Sequence, residues 1–273
     1  PRYHFDGIMD SIRRAASQLP RVDAIGGSAA VVYVDGDPRV GSLFRGVSEE
    51  NFDREIRPIF KKIRQEMNDV PFEIDNDGEV TALAASLIFD ASRILGIAMG
   101  TSLAAGYCDG SGQITGQLNE LAFVPVDYRD NAPEDEWSGD VGCGVQYFSQ
   151  QAVARLAPAA GLEHPERIPS AERLADIQRL MERGDARAQQ VYETIGVYLG
   201  YSVAWYAHWY EIDNLLALGR VTSGAGGEII IEVAAQVLRE EFPELADRLQ
   251  MKTPDEKFKR HGQAFAAASL PNV

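Results

Sequence analysis

Apolar residues recur along this chain in blocks, and the spacing within each block names an element. Ile8, Ile12, Ala15 and Leu19 repeat at helical intervals, so the chain opens on an amphipathic helix. Val22 to Val34 reads as one strand with a bulge or turn at Gly26-Gly27-Ser28, closed by the turn dipeptide Asp35-Gly36. Ser48 is placed as an N-cap, and Phe52, Ile56, Ile59, Phe60 and Ile63 carry a second helix to about Met67. A short strand, Pro71 to Ile74, then runs into Asp75-Asn76-Asp77-Gly78 and an apolar helix from about Glu79 to Ser92.

From Ile94 the blocks shorten. Ile94 to Met99, Ala105 to Cys108 and Ile114 to Gln117 read as successive antiparallel strands, separated by Gly100-Thr101-Ser102 and Asp109-Gly110-Ser111-Gly112. Tyr128 to Asp140 is an acidic, turn-rich loop, and Pro158 to Pro169 is a second loop. Helices are expected over Val145 to Leu156, Ala171 to Arg183, Ala186 to Trp209 and Glu228 to Phe242. A buried strand, Leu215 to Val221, precedes the glycine turn Ser223-Gly224-Ala225-Gly226-Gly227, and a small-residue helix, Gly262 to Leu270, ends the pattern. Strands alternate with helices, so the fold class is α/β.

Composition narrows the chemistry. The 273 residues are 45% apolar and 25% charged, as in a folded protein. Lys+Arg 26 against Asp+Glu 41 gives a charge of -15, which repels polyanions and argues against nucleic acid as a partner. Two cysteines, Cys108 and Cys143, make neither a disulfide framework nor a four-ligand zinc pattern, and suit a reducing cytoplasm. No apolar run reaches the ~18 residues of a membrane helix, so no membrane partner is expected.

Three turns are candidates for chemistry. Asp75-Asn76-Asp77-Gly78 is either a surface turn or a carboxylate held at a helix N-terminus, where a bound hydroxyl could give it a proton. A calcium loop does not fit it, because Glu73 and Ala84 occupy ligand positions wrongly. Gly100-Thr101-Ser102 is either a tight hairpin or an anion cradle, and it lacks the Gly-Lys-Ser/Thr of a P-loop. Ser223 to Gly227 is either a tight connection or a floor for a nucleotide; a Rossmann fingerprint would want glycine at Ile229.

Taken in order, these turns resemble the ROK family of sugar kinases and sugar-responsive regulators, over roughly Ala24 to Pro271. Asn76-Asp77 resembles the family's Asn-Asp motif, which implies Asp77 as general base and Asn76 as a substrate contact. Glu120, in Leu118-Asn119-Glu120-Leu121-Ala122-Phe123, matches a sugar-binding glutamate. Gly100, Thr101 and Ser102 match a phosphate-binding hairpin, and Ser223, Gly224, Ala225, Gly226 and Gly227 an adenosine-binding turn. Gly139-Asp140-Val141-Gly142-Cys143 matches part of the family's zinc stretch, but only one cysteine remains and no zinc is expected. Phe123 stands in place of a sugar-contacting histidine and Val145 in place of a glutamate. No Asp-x-Gly-Gly-Thr precedes Ala24, so the first phosphate hairpin is expected to be missing.

The resemblance implies an actin-like, two-lobed fold with an incomplete N-terminal lobe at residues 1–92, a nucleotide-binding lobe at 93–261, and a helix at 262–273 returning to the first lobe. It also implies ATP with Mg2+, a sugar substrate, and a homodimer. Three functions follow: a sugar kinase, a non-catalytic sugar-sensing regulator, and a scaffold subunit of the actin-like ATPase superfamily. With the first hairpin missing, the chain as given is expected to turn over little.

Overall fold

The computed structural model describes residues 2–34, 36–165, 167–254 and 256–271, without the side chains of 42 and 256–260. Its first elements are α1 (Arg2–Ala16), β1 (Ile25–Ala29), β2 (Val32–Val34), β3 (Asp37–Val40), α2 (Glu49–Asn51), a π turn (Phe52–Ile56), α3 (Ile59–Glu66), β4 (Phe72–Asn76) and α4 (Asp77–Phe89). Strand β1 pairs in parallel with β4, from Ile25 opposite Phe72 to Ala29 opposite Asn76, while β2 pairs antiparallel with β3. The single strand expected over Val22 to Val34 is therefore two. The Val31 N–H bonds the Ala29 carbonyl at 2.8 Å, and that tight reversal splits it. Asp35, half of the expected turn dipeptide, lies outside the described residues.

The helix expected through Met67 is also broken. Pro58 sits between the π turn and α3, where it can donate no hydrogen bond to the preceding turn. Met9, Ile56, Ile59, Phe60 and Ile63 form the apolar centre of this first region.

Next come β5 (Ile94–Met99), β6 (Leu103–Cys108), α5 (Gln150–Ala159), α6 (Ser170–Glu182), α7 (Ala186–Tyr206), β7 (Asn214–Leu218), α8 (Ala225–Glu241), α9 (Pro243–Ala246), β8 (Gln250–Lys252) and α10 (Glu256–Ala268). Their sheet has the order β6-β5-β7-β8, with β5–β6 antiparallel and β5–β7–β8 parallel. Helices α5, α6, α7 and α8 share a large core with it, built on Leu95, Ile97, Met99, Tyr147, Tyr192 and Leu199. The third strand expected at Ile114 to Gln117 does not form. After the Asp109 turn, Ile114 makes one isolated bridge to Cys108 and the chain leaves the sheet.

Helix α5 starts at Gln150, five residues later than the pattern placed it, because Ser149 caps it by accepting from the Gln151 N–H at 3.1 Å. Residues Gly144–Gln146 form a 3-10 turn instead. The glycine turn also differs, since Ala225, Gly226 and Gly227 already belong to α8. The short α9 and β8 escaped the pattern altogether.

Helix α4 joins the two regions. Gly78 to Ser86 are all buried, packed against β5, β6 and α10. The contact with β6 is backbone on backbone: a Cβ on Gly106 would lie 2.2 Å from the Gly78 carbonyl oxygen. Helix α10 packs on both α4 and β1, with Ala266 and Ala267 buried. A Cβ on Gly26 would lie 1.7 Å from the Ala267 carbonyl oxygen, so this closure needs glycine there.

Candidate functional site

Strand β4 ends where α4 begins, and that junction places the acidic turn at the wall of a cleft of about 430 Å³. Asn76 is the N-cap: its Oδ1 accepts from the Gly78 N–H at 2.8 Å, and its Nδ2 donates to the Val31 carbonyl at 3.1 Å. The cleft is lined by Tyr33 from β2, by Glu73, Asp75 and Asn76 from β4, by Glu79 from α4, and by Ile114 to Glu120. Leu270, just past α10, closes another side.

Asp77 is half-buried and is not among the lining residues. Its charge still acts on two of them. Burial raises the Glu120 carboxyl above its usual range, and the Asp77 charge raises it further. Burial, then Asp75 and Asp77, also push up the Tyr33 hydroxyl. Asp77 is itself raised by burial, against hydrogen bonds from backbone N–H groups. The carbonyl of Asp77 accepts from the Thr81 hydroxyl at 2.7 Å and from Gln263 of α10 at 3.0 Å.

Two hydroxyls on the cleft wall, those of Tyr33 and Thr115, are buried without a hydrogen-bond partner. Orphaned hydroxyls beside carboxylates suit a ligand that carries donors and acceptors on adjacent atoms.

Glu79, Asn119 and Tyr210 went unnoticed in the pattern. Glu79 is 5% exposed; one carboxylate oxygen accepts from the Tyr107 N–H at 3.2 Å and the other from the Asn119 amide. The Asn119 oxygen accepts from the Tyr210 hydroxyl at 2.8 Å. Burial pushes the Glu79 carboxyl up to about 7, against the Asn119 and Tyr107 bonds. Because Asn119 precedes Glu120, this network ties the first turn of α4 to the loop that carries Glu120. One signal was available, a glutamate beside the uninterrupted small and apolar run Val80 to Ala85. Tyr210 had none, since it reaches the site only through the fold.

The other expected residues lie elsewhere. Gly100, Thr101 and Ser102 form the β5–β6 turn, where the Gly100 N–H bonds the Ser102 carbonyl at 2.9 Å. Thr101 and Ser102 are exposed. Thr101 lines a second recess, of about 620 Å³, with Arg45, Trp137, Gln151, Arg155 and Arg173. Gly224 and Ala225 are exposed at the start of α8, with Gly224 at a left-handed φ of 69°. Gly226 is buried, and a Cβ there would lie 2.5 Å from the Tyr192 ring. A Cβ on Gly227 would lie 1.9 Å from the Thr222 carbonyl oxygen. The Ser223 hydroxyl donates to the Gly219 carbonyl at 3.2 Å. Phe123 packs on Trp137, with ring centroids 5.3 Å apart, and Val145 is 3% exposed in the core.

The β1–β4 pair and the four-stranded sheet, bridged by a buried helix with a polar cleft at a strand end, give an α/β protein of the actin-like ATPase fold. More particularly, it is the fold of the ROK sugar kinases and regulators. A ROK family transcriptional regulator, homologue of the Escherichia coli MLC protein, superposes with TM-score 0.75 at 21% identity, covering 98% of this chain and 67% of that one. The ROK hexokinase of Thermus thermophilus superposes with TM-score 0.71 at 17% identity, covering 96% and 85%. A ROK glucokinase from Streptomyces griseus, in complex with glucose and AMPPNP, superposes with TM-score 0.69 at 21% identity, covering 97% and 88%. No family model and no curated protein sequence matches the chain. Among the described residues, no helix is long and apolar enough to cross a membrane.

Proposed function

We propose that the chain is a ROK-type, ATP-dependent sugar kinase with Asp77 as general base. The observation that carries this reading is the cleft itself, whose wall holds the partnerless hydroxyls of Tyr33 and Thr115 together with Asp75, Asn76 and Glu120. A polyol supplies hydroxyls that donate to the carboxylates and accept from Tyr33 and Thr115, which is the bonding this wall lacks. Asn76 and Glu120 hold the sugar. Asp77 takes the hydroxyl proton as the sugar oxygen bonds the terminal phosphorus and the bond to the departing ADP oxygen breaks.

In the same reading the exposed Thr101 and Ser102, with Gly100, face the terminal phosphates. Ser223, Gly224, Ala225, Gly226 and Gly227 underlie the adenosine, and its accessible part is Gly224 and Ala225. A Mg2+ ion carried chiefly by the phosphates belongs to the same reading. The regions 1–92, 93–261 and 262–273 would then act as first lobe, nucleotide lobe and returning helix. A homodimer belongs to the proposal too. Val197, Tyr201 and Trp205 are exposed at four-residue spacing on α7, with Trp209 just past its end.

A second reading, a sugar-sensing regulator without turnover, is favoured by Phe123 and Val145. Both spend their side chains on packing and offer the sugar no polar contact. ADP release, followed with MgATP and a panel of hexoses, separates the two. Under the kinase reading Asp77→Asn lowers turnover by ~10² to 10⁴ and leaves sugar affinity nearly unchanged. Sugar binding with no turnover, in a form extended to carry the first phosphate hairpin, supports the regulator. Failure to bind any sugar overturns both.

A further inference from the structure

The second recess holds a half-buried arginine, Arg155, with no carboxylate beside it among the described residues. Three arginines line it, Arg45, Arg155 and Arg173, against Asp135 and Glu136. Asp135 is already committed, accepting from the N–H groups of Trp137 at 3.2 Å and Ser138 at 2.9 Å and from the Gln146 amide at 3.2 Å. Arg155, on α5, is half-buried. One of its terminal nitrogens donates to the Gln146 carbonyl at 2.9 Å, and its Nε is buried without an acceptor. Its guanidinium lies 4.7 Å from the centre of the Tyr147 ring.

Among the described residues no carboxylate lies within ion-pair distance of Arg155. In a chain with 41 acidic residues and 26 basic ones, a sunken arginine without a carboxylate is the exception. Burial holds its pKa below the usual arginine range, so a bound anion would relieve a cost the fold already carries. Arg45 adds an exposed guanidinium 5.9 Å from the centre of the Trp137 ring. Thr101 and Gln151 line the same recess.

Resting on the assignment of Thr101 to a phosphate above, we propose that Arg155 and Arg45 are the cations that hold a phosphoryl group in this recess. A guanidinium presents parallel N–H donors that match two phosphoryl oxygens. Trp137, 54% exposed, adds apolar surface to the wall of the recess. The phosphoryl group belongs either to a nucleoside triphosphate or to a phosphorylated sugar. The proposal does not depend on catalysis.

The test is calorimetric, at fixed ionic strength, on the full chain. MgATP is compared with adenosine, and a hexose 6-phosphate with the free hexose. At least one phosphorylated ligand should bind about 10- to 100-fold more tightly than its unphosphorylated counterpart, the range expected of hydrogen bonds to a charged group. Arg155→Met, which keeps the stem but not the charge, should abolish that preference and spare the unphosphorylated ligand. Arg45→Ala, at an exposed position, should reduce it in a chain whose fold is intact. Which pair shows the preference names the source of the phosphoryl group. Equal affinities within both pairs, or a preference that survives both substitutions, overturns the proposal. Binding with the expected preference but no ADP release, in a form extended to carry the first phosphate hairpin, would leave the recess standing and remove the kinase reading.

Discussion

Glu79 shows how far one residue can set the behaviour of the cleft. Its charged form is disfavoured by burial, and the charges acting on it, Asp75 and Glu120, are both negative. The folded carboxyl titrates near 7, whereas 4.5 is its unperturbed value. Between those limits the folded chain holds a proton that the unfolded chain has lost. The stability this supplies is complete below pH 4.5 and gone above about 7, and it amounts to up to about 3 kcal/mol. Glu79→Gln should therefore flatten the fall in melting temperature between pH 5 and pH 8. Asp75, Asp77 and Glu120 are raised as well, but they are common to both chains, so the difference between the two melting curves reports Glu79 together with its coupling to Asp75 and Glu120. Parallel curves would show that its proton does not change on folding. Asp77→Asn carries a related expectation: it removes a charge that burial disfavours, so the variant should be no less stable than its parent at pH 8 even as turnover falls. A melting temperature well below the parent's would mean that the carboxylate holds the helix end together.

At the scale of elements, glycine decides which faces meet. Gly196 and Gly200 lie on the side of α7 that packs on α8, where a Cβ would come within 2.8 Å and 2.7 Å of the Cβ atoms of Val233 and Val237. Gly200→Val should destabilise the chain by roughly 1–3 kcal/mol through overpacking. In α1, a Cβ on Gly7 would meet nothing within 4 Å, so Gly7→Ala should stabilise by about 0.5–1 kcal/mol through helix propensity. Thermal melts of both variants check the contrast. The same reasoning governs Gly226, whose Cβ would enter the Tyr192 ring. Gly226→Val should lower the melting temperature, so lost nucleotide affinity in that variant would not by itself locate adenosine. A substitution at exposed Ala225 is the cleaner probe. Long periodic elements were legible because one apolar face fixes them: α7 and β5 fall close to where the pattern puts them. The break at Pro58 was legible too, had the proline outweighed the apolar spacing. The division of β1 from β2 was not, because it is imposed by two different pairing partners, one of them more than forty residues downstream.

For the molecule as a whole, the Asn-Asp turn and its proximity to Glu120 could be anticipated from motif order. The Tyr33, Thr115 and Tyr210 contributions could not, since they converge only when three segments distant in sequence meet. The exposed stripe of Val197, Tyr201 and Trp205 belongs to this scale. If a second copy covers it, Trp205→Glu should shift sedimentation from dimer toward monomer, with little change in the melting of the separated chain; unchanged sedimentation would place any dimer elsewhere. The seat of α10 has a consequence for how the chain is made. Gln263 reaches back 186 residues to the Asp77 carbonyl, and Ala267 sits against Gly26 in the first strand. Neither contact can exist while the ribosome is still adding residues before them. The nascent chain must hold β1 and the outer side of α4 without this neighbour until α10 has left the ribosome, and for that interval its apolar helix is available to chaperones or to misfolding partners.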